Sequence, residues 1–187
     1  MFSVEKHYPA HNEQIYNFIY FLTFNHSLAE DLLQETFLRA YQARHTYRGD
    51  ANALTWLRKI AKHVVLDHMK SKKKYFWQTY DSLNEQSALV PSAEELAGLS
   101  ERKRELYVAI GQLKLEHRLA VVLRKIEGLS IQQTAQILDW NEAKVKNNTE
   151  RGMKALEALM KEGKIDGKRT ITTESTFTQQ QPAREDI

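Results

Sequence analysis

Apolar residues recur along the first seventy positions with the spacing of an α-helix. Ile15, Ile19 and Leu22 are separated by four, three and seven positions, so that they share one helix face together with Phe18. Two further faces follow the same spacing and consist of Leu33, Phe37 and Ala40, and then of Leu57, Ile60, Ala61, Val64 and Val65. The pattern predicts three amphipathic helices in this part of the chain.

Polar residues at the ends of these patterns predict where helices start. Ser27 and Glu30 have the spacing of a capping box, in which each side chain bonds the other's backbone N–H, and Ser130 and Gln133 have it again. Between the second and third helices the periodicity breaks at Gly49, and the following Asp50 can cap the third helix.

The apolar periodicity fades from Gln78 to about Ser100, where the chain is polar and contains Pro91. It returns from Leu106 onward, and a short helix opening at Ser130 is followed by a tight break and a last helix. A short capped helix, a turn and a polar helix are typical of a helix-turn-helix.

These patterns predict an all-α fold with two small helical domains joined by a flexible linker, the C-terminal domain being a helix-turn-helix. The predicted boundaries are residues 1–76 for the first domain, 77–104 for the linker and 105–163 for the second domain. The polar, Thr- and Gln-rich stretch 164–187 is predicted to be disordered.

The net charge of +3 hides an uneven distribution. Residues 1–50 hold four Lys/Arg and six Asp/Glu, a net charge of −2, whereas residues 51–74 hold seven and one, a net charge of +6. So concentrated a positive charge favours a polyanionic partner.

The same basic segment is flanked by aromatic residues, with Tyr47 and Trp56 near its start and Tyr75, Phe76 and Trp77 at its end. Basic side chains bind phosphates and aromatic rings stack on unpaired bases, so the combination suits single-stranded or melted DNA. The alternative is that Trp56 and Phe76 belong to the core and that the lysines stabilise a helix C-terminus.

Two other polar surfaces can be interpreted either as binding sites or as ordinary solvated helix faces. The helix over 27–41 carries acidic and amide side chains that either face solvent or dock a basic partner protein. The last helix carries donors suited to phosphates and base edges, unless it belongs to an ordinary helical hairpin with a solvated face.

Candidate chemistry is sparse. The sequence contains no glycine-rich phosphate loop, no His-Glu-x-x-His and no Gly-x-Ser-x-Gly motif, so we expect neither enzymatic activity nor a cofactor. The pairs His7/His11 and His63/His68 lack further ligands nearby, so no metal site is expected. The absence of cysteine, signal peptide and long apolar run predicts a reducing, cytoplasmic location.

Three stretches of the N-terminal half resemble the region-two domain of extracytoplasmic-function (ECF) sigma factors: Ser27 to Tyr41, Tyr47 to Asp50 and Thr55 to Ala61. Leu119 to Leu159, including Gly128-Leu-Ser130, resembles the region-four domain of the same family. The two blocks occur in the family's order, with an intervening linker.

The resemblance implies a dissociable subunit that directs core RNA polymerase to promoter DNA, without a small-molecule substrate. It implies a partner anti-sigma factor, often anchored to the membrane. The residues matching the polymerase-binding helix are Asp31, Gln34, Glu35 and Arg39. Those matching the loop and helix that bind the −10 element are Tyr47, Arg48, Gly49, Asp50, Trp56, Arg58, Lys59, Lys62 and His63. Those expected to contact the −35 duplex are Lys144, Lys146, Asn147, Asn148 and Arg151.

Some positions depart from the family pattern. His63 stands where a small polar residue is frequent, Asp139 where glycine is common in the turn, and Ala143-Lys144 where Gly-Thr is frequent. Two other functions remain open on the residues alone, namely an autonomous helix-turn-helix regulator and a helical-bundle metalloenzyme that uses the histidines.

Overall fold

The computed structural model describes residues 2–47, 49, 52–77, 89 and 91–170. Every long element in this part of the chain is a helix, which confirms the predicted all-α class. The α-helices are Val4–Thr23 (α1), His26–Gln42 (α2), Ala53–Trp77 (α3), Ala93–Leu96 (α4), Glu101–Gln112 (α5), Leu115–Val121 (α6), Ile131–Leu138 (α7) and Glu142–Thr170 (α8). A 3₁₀ turn, Arg44–Thr46, follows α2, and a π-helical segment, Val122–Ile126, continues α6.

Helices α1, α2 and α3 pack together through the apolar faces predicted from the sequence. The fully buried residues are Ile15, Phe18, Ile19, Leu22, Ala40, Leu57 and Ala61, and those nearly so are Leu33, Phe37, Val64 and Val65. Ile60 is the exception and is only half-buried. Each large apolar side chain buried here contributes about 1.5–3 kcal/mol to folding.

Helix α2 begins two residues earlier than the capping-box pattern predicts. Asn25 has extended backbone and its side chain accepts a hydrogen bond from the N–H of Leu28 at 2.8 Å, so Asn25 is the N-cap and Ser27 lies inside the first turn. The second predicted capping box is confirmed, with Ser130 accepting from the N–H of Gln133 at 3.1 Å and the reciprocal bond at 2.9 Å. Asp50 lies outside the described residues.

Part of the segment predicted as linker forms the short helix α4. Ser92 and Glu95 make a capping box that starts it, and Glu95 also accepts a hydrogen bond from the backbone N–H of His26 at 2.9 Å. Leu89 donates its N–H to the carbonyl of Gly111 at 3.1 Å. A Cβ at Gly111 would lie 1.9 Å from the carbonyl oxygen of Leu89, so this close approach requires glycine.

The C-terminal domain contains the predicted helix-turn-helix, formed by α7 and α8. Helix α8 lies close to α6 at Gly152, where a Cβ would come within 2.6 Å of the Val121 side chain. It extends to Thr170, beyond Gly163, at which the polar sequence predicts the end of order. Extending an existing helix adds one hydrogen bond per residue fixed, so it costs far less than starting one. Residues 171–187 lie outside the described residues.

The two domains are packed against each other. Tyr107 of α5 contacts the rings of Phe21 and Phe24 at centroid distances of 5.4 and 5.9 Å. Arg118 of α6 is buried and donates to the carbonyl of Leu22, at the end of α1, at 3.2 Å. The buried apolar residues of both domains therefore form one continuous cluster. In the described part of the chain, no helix has the length and apolarity needed to cross a membrane.

Candidate polymerase and nucleic-acid interfaces

The predicted polymerase-binding residues lie along one exposed side of α2. Asp31 and Gln34 are exposed, whereas Glu35 and Arg39 are half-buried because they form an ion pair at 2.7 Å. Arg39 also forms an ion pair with Asp67 of α3 at 2.7 Å. The hydrogen bond to Asp67, which has the largest effect, and the one to Glu35 raise the pKa of Arg39. The helix face is thus held in place by contacts to α3.

Two apolar residues extend this face and are absent from the sequence-based set. Leu38 is 52% exposed and Tyr41 is 50% exposed. Leu38 lies seven positions after Asp31 and four after Gln34, so all of these share one side of α2. In the sequence, the exposure of Leu38 and Tyr41 is indicated only because their positions do not fit the spacing of the buried face formed by Leu33, Phe37 and Ala40.

Aromatic side chains gather where α3 begins. The ring of Tyr47 lies 5.2 Å from that of Trp56, and Trp56 lies 4.9 Å from Phe2. Phe2 also stacks on His7 at 4.6 Å and is itself buried. The structure thus brings Tyr47 and Trp56 together, and it adds Phe2 and His7, which the sequence reasoning missed. Arg48 and Asp50 lie outside the described residues, and Gly49 has a positive φ of 81°.

Three basic side chains in the first half of α3, those of Arg58, Lys59 and Lys62, form ion pairs with the C-terminal domain. The side chains of Arg58 and Lys62 are each 5% exposed, whereas that of Lys59 is 43% exposed. Arg58 forms an ion pair with Glu127, which follows the π-helical segment. The carboxylate of Asp139, in the turn between α7 and α8, accepts from Lys59 at 2.5 Å and from Lys62 at 2.8 Å.

These contacts set the electrostatics of the basic face. Burial opposes ionisation of Asp139, but hydrogen bonds from Lys59 and Lys62 outweigh it and hold the pKa of Asp139 below its usual value. His63 is exposed at the edge of this cluster. Partial desolvation and the neighbouring charge of Lys62 lower the pKa of His63, so its neutral form is favoured.

The predicted −35 residues divide into two groups on α8. Lys146, Asn147 and Arg151 are exposed. Lys144 is engaged within the domain, because its ammonium pairs with Glu116 at 2.8 Å and lies 4.4 Å above the ring of Trp140. The Asn148 side chain donates to the carbonyl of Lys144 at 2.9 Å.

Among the described residues, no cluster of three or more potential ligands could hold a metal ion. Within that part of the chain, the pairs His7/His11 and His63/His68 thus do not belong to a cluster with the ligands that a metal ion needs.

Comparison with known proteins assigns both halves of the chain. Residues 7–75 match the family described as Sigma-70 region 2, and residues 95–156 match Sigma-70, region 4. The chain therefore has the two conserved regions of a sigma-70-type initiation factor.

Individual relatives narrow this class. The ECF RNA polymerase sigma factor SigX of Bacillus subtilis (strain 168) is 35% identical over 161 residues, which cover 82% of this chain and 81% of SigX. BldN, the ECF RNA polymerase sigma factor of Streptomyces coelicolor, is 31% identical over 156 residues, covering 82% of this chain and 58% of BldN. The chain belongs to the ECF RNA polymerase sigma factors.

A solved structure shares the fold. The sigma factor RpoE of Bartonella quintana, crystallised in complex with the anti-sigma factor NepR, superposes with a TM-score of 0.70 at 21% identity, covering 84% of this chain and 96% of that chain. As a member of its family, the chain binds RNA polymerase and promoter DNA and directs promoter-specific initiation of transcription. The sigma factors are regulatory proteins rather than catalysts, and an autonomous regulator is not favoured.

Proposed function

We propose that the sigma-factor function is divided among three surfaces of this chain. The face of α2 formed by Asp31, Gln34, Glu35 and Arg39 docks on core polymerase, with the exposed Leu38 and Tyr41 extending the contact. Fixed charges beside exposed apolar side chains suit a protein partner, because charge complementarity orients the encounter and apolar area contributes affinity.

The start of α3 captures the melted −10 element. Tyr47 and Trp56 are half-buried rings at the surface, next to Arg58, Lys59 and Lys62, with His63 beyond them. Flipping a base out of a duplex costs a few kcal/mol, and base–aromatic stacking and phosphate contacts of these types would offset it. Arg48, Gly49 and Asp50 complete this loop on the match to the family pattern.

The −35 element is contacted as duplex by α8, the second helix of the helix-turn-helix. Lys146, Asn147 and Arg151 are exposed and contact base edges or phosphates. Lys144 and Asn148 lie next to them on α8 and belong to the same DNA-binding surface. On this division, residues 1–76 and 105–163 form the two DNA-binding domains, and 77–104 joins them.

An anti-sigma factor is the proposed regulatory partner. The support is the Bartonella quintana structure, in which a protein of this fold is bound to one. We infer that this chain is cytoplasmic and that a membrane-anchored anti-sigma factor would hold it at the membrane surface.

The observation that carries the proposal is the presence of the aromatic-basic start of α3 and the exposed polar face of α8 in one chain. Reconstitution with core polymerase and a promoter tests it, with melting followed by the reactivity of unpaired thymines. We expect core-dependent melting, and a chain that fails to bind core contradicts the proposal.

A further inference from the structure

The basic face of α3 is covered by the C-terminal domain of the same chain. As whole residues, Arg58 and Lys62 are each 4% exposed, although long basic side chains are rarely buried unless they are paired. Their partners, Glu127 and Asp139, lie 69 and 77 positions further along the chain. The burial is therefore a product of domain packing and not of the N-terminal domain alone.

Asp139 is placed so that one carboxylate serves two lysines. One oxygen accepts from Lys59 at 2.5 Å and the other from Lys62 at 2.8 Å. The residue adopts φ 57° and ψ 40°, the left-handed region, in which an Asp side chain is tolerated but a glycine would be less strained. The turn thus keeps a charged side chain at a position where backbone conformation favours glycine.

Two carboxylates on three cations imitate the chemistry of a nucleic-acid backbone. Phosphate oxygens bind Lys and Arg through the same short, charge-assisted hydrogen bonds as carboxylates do. The side chains of Arg58 and Lys62 are only 5% exposed, so a phosphate cannot reach them while the carboxylates and their domain stay in place. Binding of a DNA strand along this face thus requires the carboxylates to leave.

We propose that Glu127 and Asp139 hold the isolated chain in a closed, autoinhibited form by occupying the cationic face of α3 that would bind the −10 strand. The inference rests on the proposed role of Arg58, Lys59 and Lys62. Single-stranded DNA and the C-terminal domain compete for these three side chains, so the DNA binds only when the domains separate.

Other contacts between the domains limit the effect of removing the carboxylates. Tyr107 remains packed on Phe21 and Phe24, and Arg118 remains bonded to Leu22. Loss of the ion pairs therefore shifts the balance toward the open form without abolishing the closed one.

The test uses the full chain and a double variant, Glu127→Gln with Asp139→Asn, which removes both charges and keeps their shape and, at Asp139, tolerance of the left-handed backbone. Because the natural chain has no cysteine, Gln42→Cys and Lys154→Cys provide two unique labelling sites on exposed positions of the two domains. Energy transfer between the dyes reports domain separation, and fluorescence anisotropy reports binding of a mixed-sequence single-stranded oligonucleotide.

We expect lower transfer efficiency in the double variant and an affinity for the oligonucleotide raised about threefold to tenfold, the scale of a few partly screened ion pairs. The control is Glu157→Gln, which removes one carboxylate from an exposed ion pair with Lys161 in the same domain and should change neither readout. Unchanged transfer efficiency, or lower efficiency without a gain in affinity, overturns the proposal.

Adding core polymerase and promoter DNA to the unmodified chain separates this inference from the proposed function. If the promoter melts but the double variant stays as closed as the parent chain, the autoinhibition is wrong and the surface assignment stands. Loss of melting in the unmodified chain would instead contradict the surface assignment.

Discussion

The two surfaces proposed to bind DNA are prepared to different degrees. On α8, Lys146 and Arg151 are exposed, whereas on α3 the side chains of Arg58 and Lys62 are covered by carboxylates from the other domain. A duplex reader of this arrangement can meet its target without rearrangement. If the proposed autoinhibition holds, the surface for a melted strand becomes available only when the domains part, so access to it is linked to domain separation.

The largest effect is expected for the residue that joins the domains internally. Arg118 donates to the carbonyls of Leu22, Ile110, Gly111 and Leu113, and burial lowers its pKa to about 10. Arg118→Met should reduce the free energy of unfolding by about 2–4 kcal/mol, because buried acceptors lose their donor. Urea unfolding followed by circular dichroism measures this.

Arg104→Met is the matched control for Arg118, since Arg104 is exposed and donates to one carbonyl, that of Leu99, at 3.0 Å. It should cost less than about 1 kcal/mol. Equal losses in the two variants would mean that Arg118 is not held by these carbonyls in solution, so that its bond to Leu22 between the domains would be lost as well.

The aromatic part of the covered surface should matter for melting and not for binding to core polymerase. Tyr47→Ala and Trp56→Ala should each reduce open-complex formation about tenfold or more, since one base–aromatic stack is worth about 1–3 kcal/mol. Permanganate footprinting of the promoter measures the open complex. Tyr47→Phe keeps the ring and should retain most activity; parallel loss of core binding would indicate that the domain had unfolded instead.

On the open surface, the predicted effect depends on how each lysine is held. Lys146→Ala and Arg151→Ala should each weaken promoter binding by about 1–3 kcal/mol if the contact is to a base. Lys144→Ala should have a smaller effect, because Lys144 is already paired with Glu116 and Trp140. Electrophoretic mobility shifts with holoenzyme measure all three, and an equal loss at Lys144 would show that its internal contacts break on binding.

A smaller loss is expected on the polymerase-binding face of α2. Asp31→Ala combined with Glu35→Ala should weaken core binding about fivefold, because exposed charges contribute up to about 1 kcal/mol each. Glu157→Ala, on α8, removes a comparable exposed charge and serves as the control. Pull-down titration with core polymerase measures the affinity, and identical behaviour of the two variants would place the docking face elsewhere.

The smallest effect concerns pH. The pKa of His63 lies below its ordinary value of 6.5 in the folded chain, so the unfolded chain takes up the proton first as the pH falls. The contribution of neutral His63 to stability is therefore complete above pH 6.5 and is lost as the pH falls below it. Since the residue is exposed, the change should be a few tenths of a kcal/mol.

The comparison of unfolding free energies at pH 7.5 and 5.5 should show a slightly weaker pH dependence in His63→Gln than in the parent chain. The groups around His63 are Lys59, Lys62, Asp67 and Asp139. A stronger dependence in the variant would show that His63 gains a proton on folding, which is opposite to the expected loss.

Local rules in the sequence predicted the helices and the helix-turn-helix well, because each depends on neighbours a few positions apart. The Ser130 capping box is an example, whereas the start of α2 was misplaced since Asn25 reaches a free N–H before Ser27 can. Helix α4 was missed because four residues are too few for a periodicity. The roles of the individual site residues stay predictions.

The covering of α3 could not be anticipated from local patterns. Arg58 and Glu127 are separated by 69 positions, and no spacing rule links them. The charge step at residue 50 identified the basic face correctly but gave no sign that acidic residues of the second domain lie on it.

Once the direct contacts between the domains are broken, the contact of Leu89 with Gly111 limits how far apart the domains can move. Helix α3 ends at Trp77, which is 12 positions before Leu89 and 24 positions before Glu101, where α5 begins. At about 3.5 Å per extended residue and about 1.5 Å per residue of α4, the maximum span is about 42 Å with Leu89 attached and about 76 Å with it released. Because Gly111 has no side chain, the backbone of Leu89 can approach and bond to it. This bond shortens the segment that is free to extend between the two domains.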